Sequence, residues 1–309
     1  MQRSVVPRTK VAIAVCTYAR QEDLERLLVS LQDLQAGPDL CPRVIVIDND
    51  SRKSAETLVQ SFQSRLPWPV DYVHEPQAGI PFARNRAIRA AAGDDYLAFV
   101  DDDETVDPQW LNALMAVAQK TGAAFVQGPL TMTVEDARDS WWLASGFFKQ
   151  KSFSDLSPRS ESWTNNVLID LAFVARHNCR FDATLRFDGG SDTLFFQDVV
   201  AAGGTGRFAA NAMVYEIQKK SRLTWKWATL RQYRYGITRA NTVLLRKPRS
   251  YAGLYCGIRG TAMVGLGILK LPRGLVLGRA GLADGVALIA RGTGVLSGFF
   301  GARRREYAR

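Results

Sequence analysis

A run of apolar residues leads directly into four acidic ones at positions 96–104, whose sequence is YLAFVDDDE. A short apolar run of this kind predicts a buried strand. In an open α/β sheet, ligands bind in the crevice outside the carboxyl ends of the strands. Carboxylates packed this closely repel one another, and a hard divalent cation such as Mg²⁺ or Mn²⁺ would relieve that repulsion. The aspartates are therefore a candidate anchor for a metal ion and phosphates. The alternative is a solvated acidic turn before a helix opened by Asp107 and Pro108.

Strands and helices alternate through the first 128 residues. Five short apolar runs predict strands, at residues 11–15, 43–47, 70–74, 96–100 and 123–126. Helical patterns lie between them, such as the leucine stripe over residues 24–34. This alternation predicts an α/β fold, with a parallel sheet covered by helices on both faces. No GxGxxG follows the first strand and no GKS or GKT occurs, which excludes the dinucleotide-binding fingerprint and the P-loop.

Polar side chains follow three of these predicted strands. The first strand ends in CTYAR, the second in DN and the fourth in the aspartates. Any one of these residues alone is more often part of a cap or a turn. Together they bring a hydroxyl, a ring, a guanidinium and carboxylates to one crevice, a combination suited to a base, a ribose and a diphosphate.

The first half of the chain resembles the family 2 glycosyltransferases of the GT-A fold, which are inverting enzymes that use nucleotide sugars. Four segments carry the resemblance: CTYAR, VIVIDND, EPQAGIPFARNRAI at residues 75–88, and FVDDDE. The combination of AGIPFARN with FVDDDE is similar to bacterial exopolysaccharide glucosyltransferases of the succinoglycan type. The resemblance covers roughly residues 11–236, so a chance match is improbable.

The resemblance implies a donor-binding role for residues at the strand ends and on nearby helices. These nucleotide-sugar-binding residues are Thr17, Tyr18, Arg20, Asp48, Arg84, Asn85, Asp101, Asp102, Arg231 and Arg234. Asp48 would hydrogen-bond the uracil or the ribose. The metal ligands would be Asp101, Asp103 and Glu216, the last at a position where many relatives have a histidine. The bound Mn²⁺ or Mg²⁺ would neutralise the departing nucleoside diphosphate.

A second candidate site lies at residues 188–192, with the sequence DGGSD, ahead of a predicted helix. An inverting transferase needs a base on the face of the sugar opposite the leaving diphosphate. Asp192 would be that base, kept ionised by the helix dipole, and Asp188 is the first substitute. The alternative is that Asp192 only caps the helix. The residues expected on the acceptor side are Trp163, Asn165, Asn166 and Ser191.

The segment over residues 131–160 has little periodicity and carries two aromatic pairs, Trp141-Trp142 and Phe147-Phe148. A long irregular insertion is usually functional or mobile. Its rings would either stack on sugars or pack inside the protein. Further along, residues 207–214 are predicted to form one strand.

Positive charge is concentrated at the end of the chain. Of 40 Lys and Arg and 30 Asp and Glu, 12 and 2 lie in residues 246–309, which leaves 28 of each before that segment. Its basic residues alternate with aliphatic ones and no charge-free run reaches the ~18–20 residues of a membrane span. The pattern predicts two short amphipathic helices on an anionic membrane surface rather than a nucleic-acid site. Four scattered cysteines and an N-terminus without an apolar segment favour the cytoplasm.

The sequence therefore predicts a GT-A domain at residues 1–245, with a nucleotide-sugar half at 8–128 and an acceptor half at 129–245, followed by a basic amphipathic tail at 246–309. The expected reaction moves a hexose from a UDP-sugar, of the UDP-glucose type, to a lipid-linked or growing polysaccharide. The expected location is the cytoplasmic face of a bacterial inner membrane. Two alternatives stay open. FVDDDETV also fits the haloacid-dehalogenase phosphatase signature, with Asp101 as nucleophile and Asp103 as acid/base, and a non-catalytic glycan- or nucleotide-binding module would carry similar residues.

Overall fold

The computed structural model describes residues 8–186 and 189–302, which divide into two compact units. Within these residues, the first consists of 8–131, 152–186 and 191–216. The second consists of 132–151, 189–190 and 217–302. The main division in the later chain thus falls after Glu216, whereas the sequence places it at residue 246.

The first unit is built on an eight-stranded sheet with the order β3-β2-β1-β4-β9-β6-β10-β8. The strands of the chain are β1 (Thr9–Thr17), β2 (Leu40–Asp48), β3 (Val70–His74), β4 (Tyr96–Asp101), β5 (Glu104–Val106), β6 (Phe125–Gln127), β7 (Leu130–Val134), β8 (Pro158–Arg159), β9 (Asn166–Asp170), β10 (Gly206–Phe208) and β11 (Val214–Gln218). Strands β1 to β4 pair in parallel, whereas β9 runs antiparallel between β4 and β6. The expected α/β fold with a mostly parallel sheet is confirmed.

Helices cover both faces of this sheet. The α-helices of the chain are α1 (Gln21–Ser30), α2 (Glu56–Phe62), α3 (Ile80–Ala90), α4 (Trp110–Thr121), α5 (Ser140–Ala144), α6 (Leu171–Arg176), α7 (Ser191–Ala201), α8 (Trp225–Arg246), α9 (Arg249–Lys270) and α10 (Arg273–Phe299). Successive residues of β1 enter different cores: Val11, Ile13 and Val15 pack on one face, and Ala12 and Ala14 on the other. A strand buried on both sides explains its uninterrupted apolar sequence.

The single strand predicted at residues 207–214 is wrong, because the chain turns in the middle of that segment. Ala212 donates its amide to the carbonyl of Ala209 at 3.2 Å, which separates β10 from β11. Strand β10 joins the large sheet beside β6. Strand β11 pairs antiparallel with β5, so that Glu216 stands opposite Glu104.

The second unit contains the three long helices α8, α9 and α10. The tail forms two helices that are separated at Pro272, as predicted, but they are not short. They have 22 and 27 residues, because several glycines lie at helix contacts instead of interrupting the helices. A Cβ on Gly260 would meet the carbonyl of Gly292 at 3.1 Å, and one on Gly267 would meet that of Gly285 at 2.8 Å. One irregularity lies within α10, where Gly278 has φ 58°.

Helix α9 is, among residues 8–186 and 189–302, the one helix that is long and apolar enough to cross a membrane by length and composition. It has 22 residues and a mean hydropathy of 1.3 over its most apolar window, of which 22% is buried. The sequence analysis required a run without any charged residue, and Arg259 interrupts such a run inside α9. The possible membrane span was therefore not predicted.

The aromatic pairs of the irregular segment are part of the interior of the second unit. Trp142, Phe147 and Phe148 are each at most 4% exposed and pack with alanines of α8 and α10. The indoles of Trp141 and Trp142 stack with centroids 4.2 Å apart. Of the two interpretations of these rings, the structure supports packing.

Candidate active site

The carboxyl ends of β1, β2 and β4 bring the predicted donor-binding residues to one edge of the sheet. In the strand register Thr17 is the partner of Asp48, and Cys16 is the partner of Asp101. These residues are far apart in sequence, and parallel pairing of the three strands makes them neighbours. Burial raises the pKa of the Cys16 thiol to about 12, so this cysteine stays protonated and is unsuited to act as a nucleophile.

Asp102 is held by two residues from the end of β1. Thr17 donates its hydroxyl to Asp102 Oδ2 at 2.8 Å, and Arg20 Nη1 donates to Asp102 Oδ1 at 2.9 Å. The same nitrogen of Arg20 reaches Asp103 Oδ2 at 3.1 Å. Burial raises the pKa of Asp102 to about 6, while the positive charge of Arg20 opposes the rise. In this structure Thr17 and Arg20 therefore organise the acidic turn, and Tyr18 beside them is half-buried.

Asp101 lies among several charged groups at the end of β4. Burial raises its pKa to about 7, the carboxylate of Asp103 adds to the rise, and Arg84 opposes it. Glu104 is also buried, and that burial, with Asp101 close by, raises its pKa well above the usual range. Asn165 donates to Glu104 Oε1 at 3.1 Å. The unfavourable burial of these carboxylates is what a bound cation would relieve.

No three His, Cys, Asp or Glu side chains form a ready-made metal site in the part of the chain that the structure describes. Mg²⁺ commonly binds through one or two carboxylates and completes its shell with water and substrate phosphates. The chemistry of the acidic run fits such a site, and the roles of Asp103 and Asp101 as its protein ligands stay a prediction. Glu216 is 7% exposed and stands opposite Glu104, and its role as a third ligand stays a prediction.

The end of β2 stabilises the loops around the site. Asp48 is fully buried, and its carboxylate accepts hydrogen bonds from the amide of Asp50 at 2.9 Å, the amide of Ala55 at 2.8 Å and the hydroxyl of Tyr72 at 3.1 Å. Asn49 accepts from the amide of Gly79 at 2.8 Å. The contact of Asp48 with a uracil or ribose stays a prediction, since these bonds already use its carboxylate.

The predicted base, Asp192, lies in the first turn of α7 and contacts Arg84. Arg84 Nη1 bonds Asp192 Oδ1 and reaches the hydroxyl of Ser191 at 3.2 Å. On the other carboxylate oxygen, Thr164 approaches with its amide and its hydroxyl, each at 3.4 Å. The structure thus places the predicted base next to one of the predicted donor-binding residues. Sequence reasoning gave no sign of Thr164, which only the folded chain brings to Asp192.

Two of the predicted site residues have structural roles instead of open positions. Asn85 donates to the carbonyl of Phe181 at 2.8 Å and accepts from its amide at 3.0 Å. Asn166 is fully buried, accepts from the indole of Trp110 at 2.8 Å and donates to the carbonyls of Pro129 and Ala212. Asn166 therefore supports the acceptor-side segment from within the core and cannot face an acceptor in this structure.

The remaining predicted residues differ in how open they are. Trp163 is 43% exposed, and Ser191 is buried. Arg231 belongs to the second unit, where it donates to the hydroxyl of Tyr235 at 2.6 Å and lies over the ring of Phe148. Arg234 lies about one turn further along α8. The contact of either arginine with a diphosphate stays a prediction. Asp188 lies outside the described residues.

Comparison with known proteins identifies the family. Residues 12–178 match the model of glycosyl transferase family 2. The chain belongs to this family. The transferase is similar to the succinoglycan biosynthesis protein ExoM of Rhizobium meliloti (strain 1021), with 36% identity over 228 residues. These residues make up 74% of this chain and 73% of the relative. The resemblance stated from the sequence is confirmed, and the chain is a glycosyltransferase.

Solved structures agree on the fold of this transferase. Staphylococcus aureus TarS 1–349 in complex with UDP-GlcNAc is similar with a TM-score of 0.53 and 14% identity, over 92% of this chain and 91% of that one. GalNAc-T7 with UDP, GalNAc and Mn²⁺ is similar with a TM-score of 0.55 and 14% identity, over 75% and 51%. Because the chain belongs to a glycosyltransferase family, the two alternative functions, a phosphatase and a non-catalytic binding module, are both wrong. Three βα units also precede the acidic run, whereas the phosphatase signature closes the first strand of its domain.

Proposed function

We propose that this transferase moves a hexose from a UDP-sugar to a lipid-linked or growing polysaccharide acceptor, with inversion at the sugar. The names of its relatives support this: one serves succinoglycan biosynthesis, one was solved with UDP-GlcNAc, and one with UDP, GalNAc and Mn²⁺. The observation that carries the proposal is the convergence of Thr17, Arg20 and the acidic run at one sheet edge.

The donor diphosphate would bind at the acidic run, where Asp103 and Asp101 would hold Mg²⁺ or Mn²⁺. The bound cation would neutralise the charge that develops on the leaving UDP. Arg20 keeps Asp102 and Asp103 in position through its shared nitrogen. Thr17 fixes Asp102 from the buried side, so the ligand geometry is preorganised by the protein.

Asp192 would act as the base. As the acceptor oxygen forms its bond to the anomeric carbon and the bond to UDP breaks, the hydroxyl proton passes to the carboxylate of Asp192. Asp192 lies in the first turn of α7. Thr164 would keep the carboxylate oriented through its amide and hydroxyl.

The second unit would attach the enzyme to the cytoplasmic face of a bacterial inner membrane. Apolar side chains are exposed along α9 and the start of α10, among them Leu254, Ile258, Leu269, Leu275 and Val276, at 64–91%. Basic residues flank them, and Asp284 is the single acidic residue between positions 217 and 302. Exposed apolar groups with cations suit an anionic leaflet. A lipid-linked acceptor would be available at the same surface.

The test is UDP release from a panel of UDP-sugars with crude membrane lipids as acceptor, in Mg²⁺ or Mn²⁺. We expect one donor to support turnover that EDTA abolishes and added metal restores. Asp103→Asn should lower turnover by at least about 100-fold, since a neutral amide is a poor ligand for a hard cation. Asp136→Asn, on an exposed pair with Arg138, is the control. Full activity in EDTA would exclude the metal, and no release from any donor would exclude the donor class.

A further inference from the structure

The ion pair between Arg84 and Asp192 occupies the carboxylate that the reaction needs. Both side chains are largely buried, at 12% and 15% exposure. Asp192 Oδ1 bonds Arg84 and lies 3.3 Å from the hydroxyl of Ser191. Among the residues that the structure describes, its other oxygen has two long contacts, both with Thr164 at 3.4 Å. The strongest partner of the base is therefore a cation, not a position left open for an acceptor.

A general base must direct a lone pair at the proton it removes. While the guanidinium of Arg84 holds Oδ1, it occupies one approach to that oxygen, and an acceptor hydroxyl is left with Oδ2 and its two long contacts. Charge pairs in buried surroundings attract strongly because water screens them little. The pairing seen here thus ties one oxygen of the base to a cation, and Oδ1 becomes open to an acceptor only when Arg84 moves away.

The same guanidinium also faces the other end of the site. The positive charge of Arg84 acts on Asp101 and on the thiol of Cys16, both at strand ends where the diphosphate would bind. The charge of Arg84 therefore acts on the acidic run while its guanidinium bonds the predicted base. Arginine binds phosphate oxygens through two parallel hydrogen bonds, and a diphosphate offers more negative charge than one carboxylate.

We propose that Arg84 exchanges partners, leaving Asp192 for the donor diphosphate, so that Oδ1 of the base is free only when the donor is bound. This inference rests on the proposed function and extends it to the effect of the donor on the base. Arg84 is a positioning residue for the base, because it acts on proton transfer through Asp192. In a site without donor, Arg84 holds Oδ1 of the base.

The exchange predicts a coupling between two substitutions in the affinity for UDP. In the intact protein UDP must break the ion pair, so Asp192→Asn removes a competitor and should tighten UDP binding about tenfold, within the coupling measured for close charge pairs. With Arg84→Met as background, there is no cation to release, and Asp192→Asn should change the affinity less than about twofold. Calorimetric titration of the full chain with UDP and Mg²⁺ measures all four proteins.

Two controls test whether the effect depends on the phosphates of UDP and on the guanidinium of Arg84. Uridine carries no phosphate, so its affinity should not respond to Asp192→Asn. Arg84→Lys keeps the charge without the paired hydrogen bonds, so it should restore part of the coupling and replaces Arg84→Met if that variant fails to fold.

The outcomes also distinguish the two proposals. If the unaltered protein binds no UDP, the donor class is wrong. If it binds UDP but Asp192→Asn tightens binding equally in both backgrounds, the effect is simple repulsion between carboxylate and diphosphate and the exchange is refuted. Weaker UDP binding in Asp192→Asn would also refute it, since Asp192 would then be holding Arg84 in place for the donor.

Discussion

The turn between α9 and α10 offers the sharpest test of membrane binding. Leu269 is 76% exposed, Leu275 91% and Val276 86%, so these side chains contribute little to packing. The change is the triple substitution Leu269→Ser, Leu275→Ser and Val276→Ser. We expect the altered protein to fold with unchanged stability and to lose most of its affinity for lipid vesicles.

The magnitude follows from the exposed fractions. Burying one Leu or Val side chain is worth about 1.5–3 kcal/mol, and more than three quarters of each side chain is available for transfer into lipid. Full insertion of the three would therefore contribute roughly 4–7 kcal/mol. At interfacial depth about half of this is realised, roughly 2–3 kcal/mol, which corresponds to a loss of about 30- to 150-fold in partitioning.

The assay is vesicle flotation with anionic and with neutral lipid, at low and at high salt. Lys270, Arg273 and Arg279 near the turn should each add about 1 kcal/mol to binding of anionic lipid, and salt should screen this contribution. Replacing these three by glutamine should remove the salt-sensitive binding and leave the apolar part. The double variant Val29→Ser and Leu245→Ser alters exposed apolar residues elsewhere and serves as the control.

Unchanged flotation of the triple variant would refute the membrane-binding role of this turn, and so would an equal loss in the control. Tighter binding of the intact protein to duplex DNA than to anionic vesicles would refute the choice of partner. Point substitutions are preferable to deleting everything after Arg249. Helix α10 packs closely on α8, where a Cβ on Gly294 would meet the carbonyl of Tyr233 at 2.1 Å, so truncation would remove the packing partner of α8.

Two further predictions concern the support of the site. Asn166→Ala leaves the indole N–H of Trp110 and the carbonyls of Pro129 and Ala212 without their partner. It should therefore lower the free energy of unfolding, measured by urea titration, by about 2–4 kcal/mol. Asn165→Ala removes one hydrogen bond to Glu104 and should lower it by less than about 1.5 kcal/mol. Equal losses would contradict this division of roles. Gly79→Ala should lower thermal stability more than Gly93→Ala: both glycines have positive φ, but a Cβ on Gly79 would meet Arg186 Cγ at 2.6 Å and one on Gly93 meets nothing within 4 Å. The reverse order in calorimetric melting would show that this close contact is relieved without loss.

Much of the fold could be predicted because its signals are local. Short apolar runs mark β1 to β4 and β6, and the leucine stripe marks α1. Parallel strands share one carboxyl edge, so the polar residues after β1, β2 and β4 could be assigned to a common edge by this rule. The antiparallel insertion of β9 between β4 and β6 carries no such signal, since strand direction depends on how distant connections run.

Roles that depend on long-range contacts could not be predicted in this way. Asn85 and Asn166 are polar residues in suggestive motifs, and only the folded chain shows that their amides bond the backbone in the interior. The pairing of Arg84 with Asp192 joins positions 108 residues apart. From the sequence alone, Asp192→Asn would be expected to leave nucleotide affinity unchanged, whereas the ion pair predicts a tighter complex.

The charge asymmetry read from the sequence gains a physical basis in the second unit. Residues 217–302 contain 15 Lys and Arg and one acidic residue, Asp284. The carboxylate of Asp284 accepts a hydrogen bond from the amide of Gly146 at 2.7 Å, so its lone pairs are used within the unit. Arg291, by contrast, donates to Gln232 at 2.8 Å, and burial lowers its pKa. The charged groups of Asp284 and Arg291 thus form hydrogen bonds within the unit. Lys270, Arg273 and Arg279 are close in sequence to the exposed Leu269 and Leu275. The sign of the surface and its apolar character coincide at one turn, which is the combination an anionic leaflet selects.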